Sequence, residues 1–301
     1  MRDQFCAAMV DRARSSSMVF LTGDLGFMAL EPLRDALGPR FINGGVSEQN
    51  MFAVAAAMAR TGLETWAYSI APFAYARPFE QIRNDIAFHR LPVKIVGNGG
   101  GYGYGVMGPT HHAIEDYGVL LTLTAMQVCV PCFDEDVAAA VSTVGACDRP
   151  AYLRLGRGEA PDGFTAPPFA PWRRLTTGGG PLVVVVGPLV GSYLPMARAL
   201  PEAERPELWA LSMLPIEDFP PPREFLARLA ATDRMIVAEE HVRQGSAGGA
   251  LSLWLATQGL APRRFEHLHA TAHVFDHYGS QTYLRRRSSL DPDSLAALVV
   301  H

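Results

Sequence analysis

The sequence is poor in cysteine, with 4 in 301 residues. So few cysteines in a chain of this length exclude the disulfide framework of a small secreted domain. Cys129 and Cys132 match a C-x-x-C pattern, but no second pair accompanies them to complete a zinc site. Buried thiols are therefore favoured over a metal or redox role, because free cysteine is among the most buried residue types.

The sequence also lacks an excess of positive charge and a long apolar run. Lys and Arg number 26 against 30 Asp and Glu, so nucleic acid and anionic membranes are not expected partners. The uncharged stretch Tyr117–Cys132 contains several polar residues and is shorter than the roughly 20 apolar residues of a spanning helix. Charged residues among the first positions, such as Asp3 and Arg12, exclude a secretory signal. These features predict a soluble, cytoplasmic protein.

Short apolar runs alternate with helical patterns along the chain, which predicts βαβ units and a mainly parallel sheet. The candidate strands of the first half are Met18–Leu21, Phe41–Asn43, Glu64–Tyr68, Val93–Val96, Gln127–Val130 and Ala151–Leu155. The candidate helices between them are Glu31–Ala36, Glu48–Thr61, Pro78–His89 and Asp134–Gly145, and Ser47 is expected to cap the second of these.

A second unit follows the Gly- and Pro-rich stretch Gly156–Pro181. Its predicted elements are a strand at Leu182–Val186, a helix near Tyr193–Leu200, a strand at Met235–Ala238 and a helix at Ala250–Thr257. We therefore predict an α/β fold with two open, mainly parallel sheets that have helices on both faces. The domains are expected at 1–165 and 181–301, with a linker at 166–180.

Three segments place polar and aromatic residues after candidate strands, where open α/β sheets form their ligand crevices. They are Gly44–Met51, Tyr68–Phe73 and Gly105–His112. Taken singly, Glu48 would be a partner of a helix dipole, Phe73 a core residue and His111 a satisfied polar residue. Their joint occurrence favours a ligand site.

These segments, with others in the same order and spacing, resemble the transketolase family of thiamine-diphosphate enzymes. The likeness is greatest to the C-terminal subunit of a split transketolase, which consists of a pyrimidine-binding domain and a C-terminal domain. The matching blocks are Leu21–Gly26, Arg40–Asn43, Val46–Met51, Glu80–Asp85, Gly108–His112, Ala151–Arg157 and Val237–His241.

The resemblance implies roles for individual residues. Glu48 matches the glutamate that hydrogen-bonds N1′ of the cofactor's aminopyrimidine, and Phe73 matches the phenylalanine that stacks on that ring. Asp24 matches a strand-end aspartate on the cofactor side. His111, with His112 beside it, matches the histidine that faces the reacting carbon, a task suited to imidazole. Arg157 matches an arginine that holds a substrate phosphate, although a structural role at the strand end is equally compatible.

The resemblance also implies a function. It is the transfer of a two-carbon ketol unit from a ketose-type donor to an aldehyde acceptor. Met107 stands where transketolases have an aspartate that contacts a sugar hydroxyl, and Gly99 stands where they have a phosphate-contacting histidine. A substrate with fewer hydroxyls or without phosphate is therefore expected. The family's diphosphate and Mg²⁺ block has no counterpart here, so a partner subunit that carries it is expected, in a heterotetramer that is inactive without that partner.

Other interpretations stay open at this point. The β subunit of a 2-oxoacid dehydrogenase or decarboxylase shares the domain order and the glutamate, and a non-catalytic binding subunit is an alternative of another class. Gly103–Gly108 matches G-x-G-x-x-G but lacks the following helix of a dinucleotide site. His267, His269, His273 and His277 are close in sequence, the last three at helical spacing. No zinc pattern includes them, so a polar surface is favoured.

Overall fold

Two sheets with flanking helices make up the protein, in a computed structural model that describes residues 1–158, 160–273, 277 and 279–300. The strands are β1 Val19–Thr22, β2 Phe41–Asn43, β3 Thr65–Ile70, β4 Val93–Asn98, β5 Gln127–Cys129, β6 Ala151–Leu155, β7 Trp172–Arg174, β8 Leu182–Val186, β9 Glu207–Leu211, β10 Met213–Leu214, β11 Arg234–Val242 and β12 Arg264–Ala270.

The helices lie between these strands and at the two ends of the chain. They are α1 Arg2–Ser15, α2 Glu31–Leu37, α3 Glu48–Arg60, α4 Ala71–Tyr75, α5 Phe79–Gln81, α6 Asp116–Leu120, α7 Val137–Ala146, α8 Leu189–Ala199, α9 Arg223–Ala230, α10 Ala247–Thr257, α11 Gln281–Arg287 and α12 Pro292–Val300. Among the described residues, no helix is long and apolar enough to cross a bilayer.

The first sheet has the strand order β10-β5-β6-β4-β3-β1-β2 and is parallel except at β10. In its register Thr22 lies opposite Tyr68, and Asn98 lies opposite both Ile70 and Leu155. The carboxyl ends of β1, β3, β4 and β6 therefore meet at one edge, and the segments singled out in the sequence leave the sheet there. Helix α1 packs on one face of the sheet, where Phe5 contacts Phe20 and Tyr68.

The second sheet has the order β12-β11-β8-β9-β7 and is parallel except at β7. The predicted fold class is confirmed. Two short strands depart from the expected division of the chain. Strand β7 lies inside the predicted linker 166–180 and pairs with β9, whereas β10, from the second half, pairs with β5 of the first sheet.

Several local predictions need correction. Ser47 stands at the cap position of α3, but its hydroxyl donates to the carbonyl of Gly44 at 2.8 Å and caps no helix N–H. The predicted helix Pro78–His89 begins as α5 and continues as π-helical turns over Ile82–Ala87. His269 lies with His267 on strand β12, so the four-residue spacing from His269 to His273 does not belong to a helix. The four cysteines are free thiols, of which Cys6, Cys129 and Cys132 are buried as predicted, whereas Cys147 is partly exposed.

Candidate active site

Glu48 is the first residue of α3 and is held at the carboxyl edge of the first sheet. Between β2 and α3, Gly44 N–H donates to the carbonyl of Thr22, the last residue of β1, at 2.8 Å. The side chain is 5% exposed. Its two oxygens each accept a hydrogen bond of 2.9 Å from Nη1 of Arg77, and the Ser69 hydroxyl lies 3.5 Å from Oε1. A buried carboxylate with a charged partner thus lies at a helix start, where carboxylates are favoured.

Phe73 lies in α4, directly after β3, and its ring is half-buried. The guanidinium carbon of Arg77 lies 3.8 Å from the ring centroid, within the range of a cation–π contact. The rings of Phe73 and His111 are in edge-type contact, with the centroids 5.2 Å apart. Arg77 therefore joins Glu48 and Phe73 into one cluster.

His111 ends the 3₁₀ turn Pro109–His111, which follows Gly108 at a φ of 81°. The Thr110 hydroxyl lies 2.9 Å from its Nδ1, and the Tyr104 ring centroid lies 6.2 Å from its own. Burial, and then the positive charge of Arg77, lower the pKa of His111 below its usual value. A neutral imidazole that can accept a proton is therefore favoured at neutral pH.

His112 is buried and makes contacts away from Phe73. Its Nε2 lies 3.1 Å from the carbonyl oxygen of Gly105, the Tyr102 ring meets it edge-on, and the His273 ring stacks against it with centroids 6.4 Å apart. Burial is the main cause that lowers the pKa of His112. Within the described part of the chain, its Nδ1 is buried without a hydrogen-bond partner.

Asp24 and Arg157 lie at the same sheet edge but in separate cavities. Asp24 is exposed after β1, accepts a hydrogen bond of 3.1 Å from Asn43, and lines a cavity of about 350 Å³. Arg157 is exposed after β6 and lines another cavity of about 350 Å³ with Asn98 and Tyr104. Neither side chain joins the cluster of Glu48, Phe73 and His111.

Tyr104 and Arg77 are site residues that the sequence reasoning missed. Gly99 has a φ of +78°, and a Cβ there would collide with the Tyr104 ring. Tyr104 therefore fills the space beside Gly99, and its hydroxyl accepts a hydrogen bond of 2.7 Å from Asn98. An aromatic residue inside a Gly-rich run was the available signal for Tyr104. Arg77 follows Phe73 on a turn, and its sequence position does not reveal where its side chain points.

The described residues contain no group of His, Cys, Asp and Glu that could hold a metal ion. Two of the histidines near the C-terminus, His267 and His273, contact different carboxylates. His267 Nε2 lies 2.7 Å from Glu239, whereas His273 Nε2 lies 2.6 Å from Glu115. These histidines therefore form separate pairs with carboxylates.

The fold and the edge cluster define a two-sheet α/β protein with polar and aromatic side chains grouped at the carboxyl ends of parallel strands, where such sheets form their ligand crevices. The sequence model of the transketolase pyrimidine-binding domain matches residues 12–162. A putative transketolase family protein of Sinorhizobium fredii is 30% identical over 85% of this chain and 75% of its own. The chain belongs to the transketolase family.

Other relatives are similar over nearly the full length of the chain. An apulose-4-phosphate transketolase subunit of Phocaeicola vulgatus is 28% identical over 92% of both chains. A putative transketolase C-terminal section of Methanocaldococcus jannaschii is 26% identical over 87% of this chain and 82% of its own. A split-gene transketolase solved as an inactive β4 tetramer superposes with a TM-score of 0.82 at 29% identity, over 99% of this chain and 96% of that one.

Proposed function

We propose that this chain is the pyrimidine-binding subunit of a two-component, thiamine-diphosphate-dependent transketolase. The proposed reaction transfers a two-carbon ketol unit from a ketose-type donor to an aldehyde acceptor. The cluster of Glu48, Phe73 and His111 at one sheet edge is the observation that carries this proposal. The contacts of Arg77 support the fit of the cofactor's ring, because a planar group rich in N–H contacts both Glu48 and the face of Phe73.

The chain's own residues would hold and orient the cofactor and move a proton. Thiamine diphosphate, when bound, supplies the nucleophilic carbon to which the two-carbon unit is attached. Glu48 would hydrogen-bond N1′ of the pyrimidine, and Phe73 would stack on the ring. Asp24 would also contact the cofactor. His111, favoured in its neutral form by burial, would hydrogen-bond the donor's oxygen and accept its proton.

Substrate selection is assigned to residues around His111. Val106 and Met107 are 68% and 54% exposed and directly precede the turn that carries His111. This apolar surface suits a donor with few hydroxyls at that point. Arg157 would hold an anionic group of the substrate, because a guanidinium suits such groups. His112 was expected to bind substrate too, but it is 1% exposed and does not line the cavity of Arg157, so it is not assigned to this group. Two relatives are named for apulose 4-phosphate and for 6-deoxy-6-sulfo-D-fructose, which are anionic sugars.

A partner subunit is assigned the cofactor's diphosphate and Mg²⁺. The described residues of this chain offer no metal cluster, and the Phocaeicola relative is itself named as one subunit of a transketolase. The similar split-gene transketolase was solved as an inactive tetramer of β chains. We infer a cytoplasmic heterotetramer in which this chain is inactive without its partner.

Calorimetry of thiamine-diphosphate binding in the presence of Mg²⁺ tests the proposal, with this chain alone and with the co-expressed product of the neighbouring gene. We expect binding only by the complex, followed by ketol transfer from a ketose donor. Binding by neither preparation would favour a non-catalytic subunit. Turnover by the chain alone would contradict the split site, and release of carbon dioxide from a 2-oxoacid would favour the dehydrogenase or decarboxylase alternative.

A further inference from the structure

Arg77 makes both contacts that the proposed function assigns to the cofactor's pyrimidine. Its Nη1 lies 2.9 Å from each oxygen of Glu48. Its guanidinium carbon lies 3.8 Å from the centroid of the Phe73 ring. The planar guanidinium therefore contacts the carboxylate with its edge and the aromatic ring with its face.

A guanidinium and an aminopyrimidine share the chemistry that this site recognises. Both are planar, both contain an N–C–N unit, and both present N–H groups at the edge while an aromatic ring stacks on the face. The two groups need the same oxygens of Glu48 and the same face of Phe73. They cannot both be bound there at once.

We propose that Arg77 occupies the pyrimidine site of the free subunit and that the cofactor binds by displacing it. This inference rests on the proposed function. Arg77 thereby gives the buried carboxylate of Glu48 a charged partner until the cofactor arrives, because a buried, unpaired carboxylate is costly.

The placement of Arg77 suits a group that can leave. Its side chain is 43% exposed, whereas that of Glu48 is 5% exposed. It lies on the turn between α4 and α5, outside both helices. Within the described residues, its hydrogen bonds go to Glu48 alone. A rotation of the side chain into solvent would open the site without moving a helix.

Cofactor affinity of the reconstituted complex is the first measurement, with Arg77→Ala and Arg77→Lys. Arg77→Ala removes the competing contacts, so thiamine diphosphate should bind roughly five- to thirtyfold more tightly by calorimetry, as expected for one exposed ion pair and one cation–π contact. Arg77→Lys keeps the charge without the planar face and should lie between. Arg14→Ala removes an arginine that is 75% exposed on α1 and should leave the affinity unchanged.

A second measurement needs neither cofactor nor partner. The charge of Arg77 lowers the pKa of His111, after burial as the larger cause. An NMR titration of His111 in the free subunit should therefore give a higher pKa in Arg77→Ala than in the native chain. Arg77→Lys should retain most of the native value, because it retains the charge. Arg77→Met, which removes the charge but keeps a long side chain, should raise the pKa as the alanine variant does and replaces it if that variant does not fold.

The outcomes separate this proposal from the proposed function. Affinity that is unchanged or weaker in Arg77→Ala would overturn displacement while leaving the cofactor site intact. An unchanged titration of His111 would show that the guanidinium does not lie over the site, and would also overturn the proposal. If neither the native nor the variant complex binds thiamine diphosphate, the proposed function fails, and this inference fails with it.

Discussion

Two buried carboxylates beside the first sheet, Glu48 and Asp116, are both paired with arginine, but in different surroundings. Asp116 is fully buried, and so nearly is its partner Arg154, which is 5% exposed. Arg154 also donates to the carbonyls of Ala113 and Glu240, at 2.6 and 3.0 Å, so it joins α6 to β11 of the second sheet. The partner of Glu48 reaches in from solvent. We conclude that the pair of Asp116 stabilises the fold, whereas the pair of Glu48 is open to exchange with a ligand.

Glu239, on β11 of the second sheet, belongs to the same buried polar region as Tyr117 and the pair of Asp116 and Arg154, which we call the closed region. It is fully buried and accepts hydrogen bonds of 3.0 and 2.7 Å from the N–H groups of Ala247 and Gly248 at the start of α10. Tyr117, in α6, donates its hydroxyl to the same carboxylate. Burial acts to raise the pKa of Glu239, but its other interactions, of which the hydrogen bond with His267 is the largest, outweigh burial, so the pKa is lowered. These contacts tie the two sheets together.

The largest effect on stability is expected from Arg154→Ala. The change leaves Asp116 buried without its charge partner, which lowers the free energy of unfolding by about 3–5 kcal/mol. Urea denaturation followed by circular dichroism measures it. The double variant Arg154→Met, Asp116→Asn removes both charges and should recover most of the loss. A loss below about 1 kcal/mol for Arg154→Ala would mean that this buried pair contributes no more to stability than an exposed ion pair does.

Glu48→Gln should have the opposite profile, with a large effect on activity and a small one on stability. We expect turnover of the reconstituted complex to fall at least about 100-fold, because the proton-sharing carboxylate is lost. The free energy of unfolding should change by less than about 1 kcal/mol, since the partner of Glu48 is partly exposed. Asp35→Asn, at a side chain that is 74% exposed, is the matched control. Full activity of Glu48→Gln would contradict the proposed role.

The sequence predicted the cluster of Glu48, Phe73 and His111 better than the side chain of Arg77 that contacts it. Glu48, Phe73 and His111 follow different strands, and parallel strands bring their carboxyl ends to one edge, so their proximity followed from the strand pattern. Arg77 could not be predicted, because the direction of a long side chain on a turn depends on what surrounds it.

Short edge strands were also missed. Strand β7 contains two arginines within three residues and forms through pairing with β9. His269 and His273 are four residues apart, a spacing compatible with a helix, yet His269 lies on strand β12, which pairs with β11. Pairing with a distant strand is a tertiary effect that overrides local preference.

Tyr117→Phe tests a single hydrogen bond in the closed region. The change removes the hydroxyl that donates to Glu239 but keeps the ring, which stacks on His241 with centroids 4.0 Å apart. A buried carboxylate that loses one donor costs about 1–3 kcal/mol, measured as the free energy of unfolding in urea. Tyr283→Phe, at a residue that is 39% exposed, should change stability by less than about 0.5 kcal/mol. Equal effects of the two variants would show that the buried hydroxyl of Tyr117 contributes no more to the free energy of unfolding than an exposed one.

The smallest effect is a pH dependence of stability that comes from the closed region. His241 accepts a hydrogen bond of 3.1 Å from Gly118 N–H at Nε2, and its Nδ1 lies 2.7 Å from the Val242 carbonyl, an arrangement that suits the neutral ring. Burial lowers the pKa of His241, although the charges of Glu239 and Asp116 oppose it. The unfolded chain therefore takes up a proton below about pH 6.5 that the folded chain does not.

The free energy of unfolding should consequently fall as the pH drops from 7.5 to 5.5, by up to about 1.4 kcal/mol per histidine for each pH unit below 6.5. His111 and His112, whose pKa values are also lowered by burial, add to the fall with the same sign. The contribution of Glu239, with its lowered pKa, is lost only at more acidic pH, below about 4.5. His241→Gln should therefore flatten the slope between pH 6.5 and 5.5, whereas His89→Gln at an exposed position should keep it. An identical slope in the native chain and in His241→Gln would mean that this imidazole takes up its proton equally well in the folded state.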